Sequence, residues 1–533
     1  MHPALRSHRP LIMGRRGAVA ANHPVATQAG LDVLRAGGNA ADATVATALT
    51  LGVVEPHMSG LGGDGFWQIF DAARGAGTCI NGTGAAPAAA TPERHAGGIP
   101  VHGPHSASVP GLVAGLALLH RRFGTLDWAR LCQPAIAAAR EGFAATHAWR
   151  HFAGEQRARL AGESRTLFLA GDAPAPLGAL VTQPALAATL GELAREGAEG
   201  FYRGRLGSRL AAGAQAAGGL IAAADLAACA AEEQVPIAVP FQGLEVRQTP
   251  PNSTGFTMLQ MLRILDCFDL AALGWNSPAL VHHMVEAKKR AFLDRERWGA
   301  DPRFLDIPMA RLLSADHAAE HAAAIRTDRA ASLPVRAMAG GDTTYFCVVD
   351  GAGNAVSAIQ SLNSAFGSGV IAGDTGILLN NRMAYWHLEP GHPNRLVPGR
   401  RVRHTMNAPM VFRDGALWGV LGTPGADNQV QVNAQVLVAM AVFGLDPQQA
   451  VEAPRWTSSQ PGQGANYPHG GDETLTLEAG LAEAAPALQA LGHRVALVPP
   501  LEGPCSVAAI RVLGNGVRMA ASDPRRDGWA GAF

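Results

Sequence analysis

The hydrophobic pattern of this chain changes period near Thr343, and that change restricts the architectures open to it. Upstream, helical signals dominate. Val25 to Ala36 and Ala41 to Leu51 carry apolar residues at spacings of three and four, separated by Gly37-Gly38-Asn39. Glycine after a helix suits a C-cap. Ser277-Pro278 reads as an N-cap followed by a first-turn proline, opening a helix that runs to about Trp298. Periodicity fades over 326–341, which reads as a flexible loop leading to Thr343. Downstream, three pairs of short runs flank glycine-bearing turns. Thr344 to Asp350 and Asn354 to Leu362 surround Gly351-Ala352-Gly353. Met410 to Phe412 and Ala416 to Leu421 surround Arg413-Asp414-Gly415. Ala508 to Val512 and Val517 to Ala521 surround Gly514-Asn515-Gly516. These are hairpin signatures. Helical patterns return at about 428–444 and 477–492. Hairpins interleaved with helices predict α/β (α+β) layers with largely antiparallel sheets.

A chain of 533 residues can bury a large core. Its 43 basic and 43 acidic residues balance, so nothing calls for nucleic acid or an anionic membrane as partner. There is no run of 18 apolar residues, and the basic N-terminus lacks the apolar stretch of a secretory signal. A soluble cytoplasmic protein is the expectation. Six scattered cysteines without a C-x-x-C suggest neither a disulfide framework nor a zinc knuckle. No cofactor and no metal are expected.

Thr343 lies in Gly341-Asp342-Thr343-Thr344-Tyr345-Phe346-Cys347-Val348-Val349-Asp350. Alone, that segment reads as a strand. A threonine hydroxyl is a weak nucleophile unless a base adjoins it. Cutting the chain just before the threonine supplies one, the freed α-amine, whose ordinary pKa is about 7.7–8.0. The rest of the chain adds weight to that chemistry. Thr343-Thr344-Tyr345, Gly353-Asn354-Ala355-Val356, Leu362 to Gly369 and Gly376 to Met383 follow in order. Gly37 to Ala43, Val53-Val54-Glu55-Pro56, Ser59 to Gly63, Glu286-Ala287-Lys288, Asp294-Arg295, Gly422 to Gly425 and Ser522 to Arg525 extend the set over nearly the whole sequence. Together they resemble the γ-glutamyltransferase (γ-glutamyltranspeptidase) family.

The resemblance implies an N-terminal-nucleophile hydrolase with a four-layer αββα sandwich. It also implies a proenzyme cleaved between Asp342 and Thr343 into a large subunit, 1–342, and a small subunit, 343–533, that stay associated as one fold. Thr343 Oγ1 would attack an amide carbonyl, and water or an acceptor amine would resolve the acyl-enzyme. Ser361 matches the hydroxyl residue that bonds the nucleophile. Pro424-Gly425-Ala426 matches the turn whose Gly425 and Ala426 N–H groups form the oxyanion hole. Asn363 matches a substrate-binding residue.

Departures from the family pattern bear on substrate. Thr83 stands where an arginine reads the α-carboxylate, and Tyr385 where an aspartate holds the α-amine. Arg382 replaces glutamine, and Thr405-Met406 stands for a Ser-Ser pair. A desolvated zwitterion needs paired charges. Arg382, Tyr385, Trp386 and His404 instead suit an acid without an α-amine, since arginine binds carboxylates through two parallel hydrogen bonds. The segments 382–394 and 398–407 resemble the amidohydrolase branch, which includes oxamate amidohydrolases and cephalosporin acylases. A small carboxylate-bearing amide such as oxamate is therefore expected. Glutathione-directed γ-glutamyl hydrolysis or transfer, cephalosporin-type acylase activity and an uncleaved binding protein stand as alternatives. A homodimer is compatible with the sequence.

His317-Ala318-Ala319-Glu320-His321 matches the H-x-x-E-H zinc-peptidase pattern, but the sequence offers no identifiable third ligand. The reading preferred here is a solvated helix face. Gly60-Leu61-Gly62-Gly63-Asp64-Gly65 lacks the Lys-Ser/Thr of a P-loop and reads as a structural turn.

Overall fold

The computed structural model describes residues 7–334 and 342–533. Two seven-stranded sheets dominate, and every strand pairing within them is antiparallel. In the first, spatial order runs Trp529–Ala532, Gly17–Ala21, Asp342–Asp350, Ala355–Asn363, Asp64–Asp71, Ala76–Gly82 and Glu232–Gln234. In the second it runs Ile12–Gly14, Arg518–Ser522, Ala508–Val512, Ala416–Gly422, Met410–Arg413, Leu244–Gln248 and Ile237–Phe241.

Alternation along the strand Asp342–Asp350 shows how the layers stack. Tyr345, Cys347 and Val349 join Phe66, Phe70, Ile359, Phe412, Val420 and Ile510 in the core between the sheets. Phe346 and Val348 point the other way, into a core shared with helices Pro24–Arg35 and Ala40–Val54. On the outer face of the second sheet, helices Gly255–Leu265, Pro278–Trp298 and Asn428–Ala441 cover Val246, Val411, Leu421 and Ala509. The result is the expected αββα sandwich.

The helix ends follow local chemistry. Asn39 Oδ1 accepts from the N–H groups of Ala41 and Asp42, and Asp42 returns a bond to the Asn39 N–H, closing a capping box at Ala40–Val54. Ser277 Oγ accepts from the Leu280 N–H at 3.0 Å, and Pro278 opens the helix that ends at Trp298. The three predicted hairpins are all present.

Helices dominate the described part of residues 1–340 as read, but that reading passes over the strands there. Seven strands of the two sheets come from that part, and both sheets mix strands from either side of Thr343. Strands such as Gly17–Ala21, all small residues and wholly buried, carry no period-two alternation to betray them. The pattern at 477–492 resolves into a 3-10 stretch at Ala479–Ala484 and a short helix at Ala485–Ala490. Of the expected loop 326–341, residues 326–334 form neither helix nor strand, and 335–341 lie outside the described residues. Among the described residues no helix is long and apolar enough to cross a membrane.

Candidate active site

Thr343 sits at an irregularity in the pairing of Asp342–Asp350 with Ala355–Asn363. Asp342 faces Asn363 and Thr344 faces Gln360, so Ser361 and Leu362 together oppose Thr343. Bulges of this kind re-aim side chains beside active sites. Thr343 is buried, and its Oγ1 donates to Ser361 Oγ at 3.2 Å. Ser361 Oγ also accepts from the Asn363 N–H at 2.7 Å. Asn363 holds φ +85, a left-handed conformation that a non-glycine residue keeps only under constraint. Its side chain supplies the constraint, donating to the Asn381 carbonyl and to Asn466 Oδ1.

The chain of contacts continues to the other predicted residues. Arg382 Nη1 donates to Asn363 Oδ1 at 3.2 Å. The guanidinium stacks over Tyr385 with 4.6 Å to the ring centroid, and the Tyr385 hydroxyl bonds Thr405 Oγ1 at 3.2 Å. Arg382 Nε lies 3.8 Å from Asp64 Oδ2, and His404 Nε2 lies 3.6 Å from the same oxygen. All these side chains are buried. Yet Arg382 Nε and Nη2, Asp64 Oδ2 and both ring nitrogens of His404 have no hydrogen-bond partner among the described residues. So many unsatisfied polar atoms at one buried point are costly in a folded protein.

Burial sets the charges here. It raises the Asp64 carboxyl to about 6, against the opposing pull of Arg382 and the Gly84 N–H. It drives His404 well below its ordinary value, with Arg382 and Arg401 adding to the shift, so the imidazole is neutral. Asp64 was missed by sequence reasoning, which took 60–65 as a turn. The only signal was a carboxylate at the mouth of an apolar strand, Asp64–Asp71. Thr83 joins less directly. Its hydroxyl donates to Asn81 Oδ1 at 2.6 Å, and its neighbour Gly84 donates to Asp64.

The turn at Gly425-Ala426 joins the strand Ala416–Gly422 to the helix Asn428–Ala441. Gly425 has φ +119, and a Cβ there would lie 2.4 Å from Cys505 Sγ, so only glycine fits. Ala426 holds φ +49, which costs an alanine roughly 1–2 kcal/mol. Neither the Gly425 nor the Ala426 N–H finds an acceptor among the described residues. Two free donors at the head of a helix suit a developing anion.

Next to Thr343, Thr344 Oγ1 donates to Glu55 Oε2 at 2.6 Å and accepts from Asn22 Nδ2. Burial raises the Glu55 carboxyl from its ordinary 4.5 to about 7, against the opposing pull of the Thr344 bond and Arg526. Because the folded value exceeds the unfolded one, its stabilising contribution is full below about pH 4.5 and is lost as pH rises through about 7. The span is worth on the order of 3 kcal/mol. Glu55→Gln keeps the acceptor without titrating. The thermal midpoint of the variant, minus that of the parent, is therefore expected to grow between roughly pH 5 and pH 8. A constant difference would overturn this assignment.

Comparison with known proteins fits this geometry. Residues 26–533 match the family model described as Gamma-glutamyltranspeptidase. The chain is 38% identical to an oxamate amidohydrolase proenzyme of Klebsiella pneumoniae, covering 97% of this chain and 98% of the relative. It is 37% identical to a glutathione hydrolase-like proenzyme of Bacillus subtilis, covering 97% and 99%. A solved cephalosporin acylase from Bacillus halodurans superposes with a TM-score of 0.90 at 31% identity, covering 100% of this chain and 98% of that one.

Proposed function

This chain belongs to the gamma-glutamyltranspeptidase family of N-terminal-nucleophile hydrolases, and from that premise we propose that it hydrolyses a small carboxylate-bearing amide, with oxamate as leading candidate. The observation that carries the reading is the Arg382 guanidinium. Its Nε and Nη2, the two-pronged edge that pairs with a carboxylate, lie buried without a hydrogen-bond partner among the described residues, beside the Thr343–Ser361–Asn363 chain. In oxamate the carboxyl carbon is bonded directly to the amide carbon. A carboxylate reader placed close to the nucleophile suits that short acid.

In this reading the chain cuts itself between Asp342 and Thr343, and the new α-amine is the base. It takes the Thr343 hydroxyl proton as Oγ1 attacks the amide carbonyl. Gly425 and Ala426 N–H groups receive the oxyanion, and the C–N bond breaks as the leaving nitrogen takes a proton, releasing ammonia. Water then attacks the acyl-threonine, restoring the hydroxyl and releasing the diacid. The two fragments stay together because both sheets draw strands from each.

A second reading has its own observation. Asp64 Oδ2 is also buried without a hydrogen-bond partner among the described residues, and it could hold the α-amine of a γ-glutamyl group while Arg382 holds the α-carboxylate. Oxamate is favoured because Asp64, whose carboxyl at about 6 is still mostly ionised at neutral pH, already faces the Arg382 cation at 3.8 Å, so a substrate ammonium would have to compete with Arg382 for it. Ammonia release from oxamate is expected to exceed p-nitroaniline release from a γ-glutamyl anilide by a wide margin. The opposite ranking would sink the oxamate reading in favour of γ-glutamyl hydrolysis.

A further inference from the structure

The motif His317-Ala318-Ala319-Glu320-His321 plays no part in the site above, but the fold gives it the third ligand that the sequence did not reveal. Helix Ala315–Ala323 packs it against helix Pro278–Trp298 at Asp294. His317 Nε2 lies 2.6 Å from Asp294 Oδ2, and His321 Nε2 lies 3.5 Å from the same oxygen. The two Nε2 atoms are 3.1 Å apart. Three donor atoms therefore converge on one point. Protons satisfy such a triangle poorly. If His317 Nε2 carries the proton bonded to Asp294, that nitrogen has no lone pair left to accept from His321. A cation at the centre would engage all three lone pairs together. Ligand edges around a tetrahedral ion with bonds of about 2.0–2.1 Å are about 3.3 Å, close to the triangle seen.

We infer that Asp294, His317 and His321 form a binding site for a divalent first-row cation of the zinc type, with solvent completing its coordination. Two imidazoles and one carboxylate suit zinc and disfavour calcium or magnesium, which take oxygen ligands. The surroundings resemble those of a built metal site. Gln260 Nε2 donates to Asp294 Oδ2 at 2.8 Å and orients the carboxylate. His317 Nδ1 is buried without a hydrogen-bond partner among the described residues, and Glu320 Oε2 stands 4.0 Å from it, placed to fix the tautomer. The His321 side chain keeps 20% exposure, which leaves a way in for the ion. Among the described residues, Asp294 pairs with no lysine or arginine. The two other His/carboxylate groupings differ in that respect. Glu286, near His282 and His493, is held by Lys289 and Arg290. Glu296, near His387 and His392, is held by Arg295 and Arg403.

The site is structural rather than catalytic. Glu320 lies on the far side of the His317 ring, and its side chain is 76% exposed, so it does not face an open coordination position as a zinc-peptidase base would. Instead the ion staples helix 315–323, the last helix before Thr343 among the described residues, to helix 278–298. That helix also carries Arg295, whose guanidinium pairs with Asp427 next to Ala426. The inference is independent of the substrate reading.

The test is a zinc titration of the tag-free full-length protein after chelator treatment and dialysis, followed by calorimetry and by the thermal midpoint. One saturable equivalent of zinc per chain is expected, together with a raised midpoint. His317→Ala and His321→Ala should each abolish that uptake and the rise. Glu320→Gln should weaken affinity roughly 10- to 100-fold. His321 is the more exposed of the two histidines, so its variant is expected to melt near the metal-free parent, which separates lost binding from misfolding. The proposal is overturned if the parent shows no saturable uptake, if uptake survives both histidine variants, or if His493→Ala removes it instead.

Discussion

Thr343→Ala is expected to leave the protein as one uncut polypeptide with no measurable amidase activity, while Thr343→Ser is processed and active. The two variants divide the roles of the side chain. Alanine removes the Oγ1 that donates to Ser361, and with it the only nucleophile proposed for both the cut and the amide hydrolysis. Loss of a nucleophile that acts as a unit with its base costs on the order of 10⁶ in kcat. In an uncut chain the loss is double, because the Thr343 nitrogen stays in a peptide bond and supplies no base. Serine keeps the hydroxyl and loses only a methyl from a buried site. Denaturing electrophoresis reads the first effect as one band against two of unequal size. Intact mass after incubation with amide reads the second as the presence or absence of an acyl adduct on the small fragment. A doubly banded, active Thr343→Ala protein would eliminate Thr343 as nucleophile.

What the sequence discloses about this site depends on how local each feature is. Ser277-Pro278 and the three hairpins are written in neighbouring residues, and their positions emerge within one or two residues. Thr343 and Ser361 are legible together because a single hairpin brings them opposite one another. Asp64 and Glu55 are not. Each lies roughly 300 residues from its functional neighbour and meets it only because Asp64–Asp71 is the strand next to Ala355–Asn363, and helix 40–54 lies across the same sheet. No period or spacing encodes such a meeting. The alanine-rich strands escape for a different reason: alanine favours helix when isolated, and tertiary packing overrides it. Asp294 escapes likewise, since the third partner of the 317–321 motif comes from a helix ending 19 residues before His317, with a link between that holds only the short helix Met309–Leu312.

Replacing Arg382 should separate substrates by charge. For Arg382→Leu, kcat/KM toward oxamate is expected to fall roughly 30- to 4000-fold, the equivalent of the 2–5 kcal/mol lost when one partner of a buried charge pair is removed. Arg382→Lys should fall between, because a point charge keeps the attraction but cannot offer the parallel Nε and Nη2 donors. Turnover of a small neutral amide should change far less in either variant, since Thr343, Ser361 and the Gly425-Ala426 donors are untouched. The fold should survive the change. Asp64 loses its cation, but Arg382 is what pulls its carboxyl down to about 6 against burial, so without the arginine the carboxyl rises further and takes up a proton rather than remaining a buried unpaired charge. Asn363 Oδ1 loses one donor, at a cost of about 1–3 kcal/mol, while its Nδ2 bonds to Asn381 and Asn466 keep the side chain in place. Steady-state kinetics on both amides, with the thermal midpoint as a check on folding, decide the matter. Equal losses on the neutral and the acidic amide would make Arg382 a positioning residue for Asn363 rather than the reader of the substrate carboxylate.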